Sequence, residues 1–288
     1  METWLLFAII SVFFAGIYNF LMKVISHRNY NISFASMIAY GVASIVALIY
    51  YLYNNFWNYN FDNFWILILI WFLNTFFYFL STISRVKSLD NVDTTIFFPL
   101  YKTFSPILIT GISIFIFWES LNIKETFWII IWILVPLLLL TRNENKLQRN
   151  LKLWVFFVLL TSFYASISNW FNKSIYDFNL NIDLFIVFSL IIWTIITAIS
   201  YKFFDKKTKK NYSKNWIYKF GILLWLMHYF AFFTFTLAVK GNLAIAYTIN
   251  SFSIIIPIIL SVIFYKEEMT FKKWFVIFLS IISMLLFI

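Results

Sequence analysis

FAGIYNFLMKVI, residues 14–25, and YASISNWFNKSI, residues 164–175, decide the fold, because a shift of 150 residues lays one over the other. Asn19 then falls on Asn169, Lys23 on Lys173 and Ala15 on Ala165. The match recurs along the chain. VK at 86–87 parallels VK at 239–240, Pro106 parallels Pro257, and ESLNIKETF from Glu119 parallels EEMTFKKWF from Glu267. The four matches keep their order with shifts of 150, 153, 151 and 148, the pattern of a duplicated unit whose halves differ by small insertions and deletions. The expected division is 1–146 and 147–288. A stretch that recurs deep inside the chain is not a cleaved leader, and it lacks the basic start and small-residue cleavage site of one.

Of the 288 residues, 62% are hydrophobic and 12% charged, which is the composition of a multi-pass membrane protein. A spanning helix takes about 20 apolar residues, since backbone N–H and C=O groups cannot stay unpaired in hydrocarbon. Ten such runs are expected, at roughly 3–22, 33–53, 64–84, 94–117, 126–141, 153–172, 184–201, 216–238, 243–265 and 271–288. The fold class is thus an all-α integral membrane protein of ten transmembrane helices. Each half holds five, an odd number, so the second half enters the membrane upside down relative to the first. That is the inverted repeat used for alternating access. Five glycines cannot supply many close helix contacts, which leaves Ala, Ser and Thr to make them. The 24% aromatic content is read mainly as lipid-facing Phe and interfacial Trp and Tyr, as in NNFWNYNFDNFW at 54–65.

Of 22 Lys and Arg, 18 sit in the loops after odd-numbered spans and three in those after even-numbered spans. The positive-inside rule then puts the odd loops in the cytoplasm and both termini outside. The run KKTKKNYSK at 206–214 reads as the anchor of one such loop. The net charge of +10 sits in short loops rather than on a folded basic face, which argues against nucleic acid. With no cysteine and no clustered His and carboxylates, neither a metal site nor a cofactor is expected.

On these residues the chain resembles the EamA-type members of the drug/metabolite transporter superfamily. The resemblance rests on the Asn and Lys ending the first and sixth helices, the Val-Lys steps, Pro106 and Pro257, and the E-x-[LM]-[NT] turns at Glu119 and Glu267. It implies a cavity lined by helices three, four, eight and nine, with one, two, six and seven as gates and five and ten peripheral. Trp128 and Val276 stand where such proteins commonly carry glycine.

Polar groups inside spans are costly and therefore informative. Lys102 lies within the fourth span between Pro99 and Pro106, each of which removes a backbone donor and is expected to break or kink the helix. Two readings of Lys102 stand: binding an anionic substrate group at a broken helix, or snorkelling and pairing with a residue such as Asp93. His228, level with Asn74 and Thr75 in the repeat, is a candidate for a coupling proton or a substrate hydrogen bond. Asn19, Asn169, Asn250 and Ser253 are further cavity candidates, with Tyr164 and Trp170 as aromatic walls. Lys23 and Lys173 read as helix-end anchors, and Glu119 and Glu267 as braces of their turns.

No phosphate loop, zinc helix or nucleophile elbow is present, so catalysis is not expected. The expected function is a secondary transporter of a small anionic, zwitterionic or neutral metabolite such as an amino acid, nucleoside, or phosphorylated or carboxylated compound. It would act across the cytoplasmic membrane, among lipids, as a monomer or homodimer, with a coupling proton or a counter-substrate. A lipid flippase is the rival within transport; an intramembrane enzyme and a structural or sensor subunit are the rivals outside it.

Overall fold

The computed structural model describes residues 2–28, 30–55, 63–89, 94–139, 151–202, 214–266 and 268–287. Among them every regular element is helical. The helices are α1 (Thr3–His27), α2 (Ile32–Asn55), α3 (Phe64–Leu89), α4 (Thr94–Phe115), α5 (Ile123–Leu134), α6 (Leu151–Asp177), α7 (Ile182–Ser200), α8 (Lys214–Ala238), α9 (Leu243–Ser251), α10 (Ile255–Tyr265) and α11 (Phe271–Phe287). A 3-10 turn, Val135–Leu139, extends α5, and another, Phe252–Ile254, joins α9 to α10. The boundary expected at 146/147, Asp93, Glu267 and residues 206–213 lie outside the described residues.

Among the described residues, seven helices are long and apolar enough to cross a membrane: α1, α2, α3, α4, α7, α8, and α9 with α10 as one interrupted helix, Leu243–Tyr265. The other three expected spans fall on α5, α6 and α11. α5 has 12 α-helical residues and α11 has 17. α6, 27 residues long, carries buried Thr161, Ser162, Ser166, Ser168, Asn172 and Lys173. Those groups are tolerated because α6 packs against α3 and α4 and meets protein on that side rather than lipid.

The duplication is written into the local structure. Asn31 accepts the Phe34 N–H at 2.8 Å and Asn181 the Leu184 N–H at 2.9 Å, so equivalent asparagines start α2 and α7. At the E-x-[LM]-[NT] turns the last residue is the cap. Asn122 accepts the Glu125 N–H at 2.8 Å to start α5, and Thr270 accepts the Lys273 N–H at 3.5 Å to start α11. The residue before each motif glutamate, Trp118 and Lys266, is left-handed with φ 53°, which stops the preceding helix.

The helix packing is unchanged when the two halves are exchanged. α3 packs on α6 as α8 packs on α1; α4 on α6 as α9 on α1; α2 on α8 as α7 on α3; and α2 meets α7 while α4 meets α9. Small residues make the close approaches. Ala35, Ala39, Ala43 and Ala47 form a buried stripe at every fourth position of α2, on the side of α7 and α8. Large apolar side chains such as Tyr53, Trp65, Phe115 and Ile123 stay exposed on the outside, where lipid would cover them.

α4 is not broken at its prolines: it runs as a continuous helix through Pro99 and Pro106. Packing on α6 and α9 holds it in place. The break occurs instead in the second half, where the chain tightens into the 3-10 turn four residues ahead of Pro257. A proline removes the donor to the carbonyl four residues back, which here is Ser253, and its ring crowds that carbonyl.

Gly16 marks the crossing of α1 and α10. A Cβ there would stand 2.6 Å from Ile256 Cβ, an atom that cannot rotate away. Gly16→Ala is therefore expected to cost about 1–3 kcal/mol through overpacking. The apparent melting temperature in detergent checks this. Gly111→Ala is the control, since a Cβ there meets nothing within 4 Å, and it should leave the transition unchanged or slightly higher.

Candidate functional site

A cavity of about 170 Å³ lies where α1, α3, α4, α6, α8 and the α9–α10 break converge. At about 30 Å³ per water it has room for about six waters, or for one small organic molecule. Each helix presents one stripe to it at helical spacing: Ala15, Tyr18 and Asn19 from α1; Asn74, Tyr78, Ser81 and Arg85 from α3; Ala165, Ser168, Asn169 and Asn172 from α6. α8 adds His228, Ala231, Phe232 and Phe235, and α7 adds Trp193. The expected division of labour is corrected here. α1 and α6 line the cavity as α3 and α8 do, because the crossed pairing of α1 with α8 and α6 with α3 turns all four toward the centre.

Lys102 is buried, and its Nζ donates to Ser253 Oγ at 3.2 Å. The two residues are 151 apart, the same separation as Pro106 and Pro257. Equivalent positions of the two halves thus touch, and each lies four residues before its proline, where the missing N–H leaves the Lys102 and Ser253 carbonyls without their usual helical donor. Tyr247 and Asn250 complete this wall, and Asn250 Nδ2 donates to the fully buried Ser11 Oγ at 2.9 Å, tying α9 to α1.

Arg85 also lines the cavity. Its guanidinium lies 5.1 Å from the centre of the Tyr101 ring and the Lys102 ammonium 5.9 Å from the same centre. Its Nε is buried without an acceptor among the described residues. Among the described residues that line the cavity, none is a carboxylate.

His228 sits in an aromatic cage of Tyr40 at 4.8 Å, Tyr18 at 5.0 Å and Trp193 at 5.4 Å between ring centres, with its Nε2 unpartnered. Level with it in the repeat lie Asn74 and Thr75, and Asn74 donates through Nδ2 to Ser168 O at 2.7 Å, Asn172 Oδ1 at 3.0 Å and Ser168 Oγ at 3.1 Å. Asn169 donates to Ala165 O at 2.8 Å and accepts from Asn172 at 3.2 Å. One side of the cavity is thus an amide and hydroxyl network, and the other is aromatic.

A buried ion pair closes the even-loop side. Lys173 Nζ stands 2.9 Å from Glu119 Oε1 and donates to Gly241 O at 2.5 Å and Lys240 O at 3.3 Å. Glu119 Oε2 accepts the Leu243 N–H at 2.8 Å, at the start of α9 where a carboxylate meets the positive helix end, and also the Ser113 hydroxyl. Tyr176 adds a hydrogen bond to Thr236 O at 2.6 Å. The reading of Lys173 as a helix-end anchor is corrected: it is 8% exposed and joins the end of α6 to the α4–α5 and α8–α9 turns. Lys23, its equivalent, donates to Ser261 Oγ at 2.8 Å.

Of the residues expected to bind substrate, Lys102, His228, Asn19, Asn74, Asn169, Asn250 and Ser253 come together in this cavity. Tyr164 and Trp170 do not. Tyr164 turns its ring to Phe77 at 6.3 Å and Trp170 stacks on Phe171 at 5.2 Å, because both fall off the 165–168–169–172 stripe of α6. Arg85 and Asn172 are additions. Arg85 continues the 74–78–81–85 stripe, a spacing of four, three and four residues that marks one helix face once α3 is known to reach that far.

Against known proteins, a family model described as the EamA-like transporter family matches the chain twice, over residues 2–141 and 152–288. A solved structure described only as "Crystal structure of protein" superposes with a TM-score of 0.76 over 97% of this chain and 95% of its own. At 12% identity, that likeness bears on the fold alone. No curated protein sequence matches. The two family matches together span nearly the whole chain and coincide with its two repeats, and the chain belongs to the EamA-like transporter family of membrane proteins.

Proposed function

We propose that this chain is a secondary transporter that moves a small organic metabolite across the cytoplasmic membrane by alternating access. Ten spans in two inverted halves, 1–146 and 147–288, would rock around the central cavity. The contact of Lys102 with Ser253 carries this reading. Equivalent positions of two inverted repeats meet only near their two-fold axis, which lies in the membrane plane, so the cavity sits at mid-depth where substrate sites of such transporters lie. The Glu119–Lys173 pair closes the even-loop side in this conformation, and it must part when that side opens.

Purified protein in proteoliposomes tests the function. A metabolite first found by its stabilisation of the folded protein should exchange across the membrane at a protein-dependent rate. No metabolite flux, together with protein-dependent flipping of a labelled lipid, would replace the reading with that of a flippase. The charge bias places both termini outside. In the cysteine-free chain, Ile123→Cys should then react with an impermeant maleimide added to intact cells, and Lys219→Cys should react only after lysis. The reverse pattern would invert the orientation.

A further inference from the structure

We propose that the cavity binds a small organic dianion, a dicarboxylate or a phosphate monoester, held between Arg85 and Lys102; this rests on the transport reading and names its substrate class. Two basic side chains, a guanidinium and an amine, face one cavity, both close to a single ring, Tyr101. Burying like charges together is unfavourable unless an opposite charge completes the site. Among the described residues that line it none is a carboxylate, and the one hydrogen-bond partner given to Lys102 is the neutral Ser253 hydroxyl. Arg85 keeps a buried Nε donor unused. A guanidinium offers parallel donors that match the two oxygens of a carboxylate or phosphate, and the ammonium supplies a second point of contact.

The volume admits a short body, and the Asn74–Ser168–Asn172 side can bond its polar groups. Charge also separates the classes. A cationic solute would meet two basic groups with no counter-charge among the described lining residues, and a neutral one would leave the Arg85 guanidinium without an opposite charge.

The test uses the purified full chain and a charge ladder on one skeleton: succinate, succinamate and succinamide, with glycerol 3-phosphate against glycerol. Binding is read from the shift of the thermal transition with concentration. Succinate or glycerol 3-phosphate should bind at least tenfold tighter than its uncharged counterpart, with succinamate between. Arg85→Gln and Lys102→Gln should each erase the preference for two charges over one, while Arg85→Lys and Lys102→Arg, which keep the charge and guard against simple misfolding, retain part of it. A dicarboxylate source favours succinate, and a phosphate source favours glycerol 3-phosphate. Equal binding along the ladder, no shift with either dianion, or an unchanged preference in the glutamine variants would overturn the assignment. A dianion that binds but does not cross proteoliposomes would leave this assignment standing and remove the transport reading; a neutral solute that crosses would do the reverse.

Discussion

Lys173→Met should unsettle the protein more than any other single change considered. The methionine keeps the length and apolar stem of the lysine but leaves the Glu119 carboxylate buried with no counter-charge, since the two side chains are 10% and 13% exposed. Removing one partner of a buried pair costs about 3–5 kcal/mol, most of it the penalty of the stranded charge. It also removes the donors to the Lys240 and Gly241 carbonyls. The double variant Lys173→Met/Glu119→Gln should recover a large part of the loss, because the neutral amide no longer strands a charge there. Apparent melting temperatures of the two single variants and the double one measure this. Additive losses would mean that the two residues act apart.

Lys102→Gln should have the largest effect on transport. A charged hydrogen bond to a bound ligand is worth about 1.5–3 kcal/mol, which at about 1.4 kcal/mol per factor of ten is roughly a 10- to 150-fold loss. Initial rates of uptake into proteoliposomes measure it, at equal amounts of folded protein. Stability should change little or rise, since a buried ammonium with a hydroxyl for a partner is costly in the empty protein. A rate within twofold of the original would mean that Lys102 does not touch the substrate and would leave it only the structural contact with Ser253.

These two lysines show how far the chain could be read before its helices were packed. Lys102 stood out because a charge between two prolines in an apolar run has few places to go, and it does face the cavity. Lys173 stood out less because a lysine at a helix end is normally an anchor, and only the neighbouring turns reveal its partner, 54 residues away in sequence. Arg85 was counted among the loop charges because the apolar run of the third helix ends before it, whereas α3 continues to Leu89 and carries the arginine inward. Tyr164 and Trp170 fall outside the cavity for a related reason: each adjoins a stripe residue in sequence, Ala165 and Asn169, and one residue is about 100° of rotation on a helix, enough to leave the cavity.

Sequence alone determined the class of protein, the duplication, and the points where equivalent helices start and stop. Each of these is carried by interactions between residues three or four apart, or by the plain cost of leaving polar groups in hydrocarbon. Capping by Asn31, Asn122, Asn181 and Thr270 is of that kind. Tertiary structure alone decided which stripes face inward, that Lys173 grips Glu119, that Arg85 joins Lys102, and that Lys102 meets its own counterpart Ser253 across 151 residues. Helix crossings set those contacts, and a crossing depends on the shapes of two distant surfaces at once, with small residues such as Gly16 and the α2 alanines allowing the backbones to close.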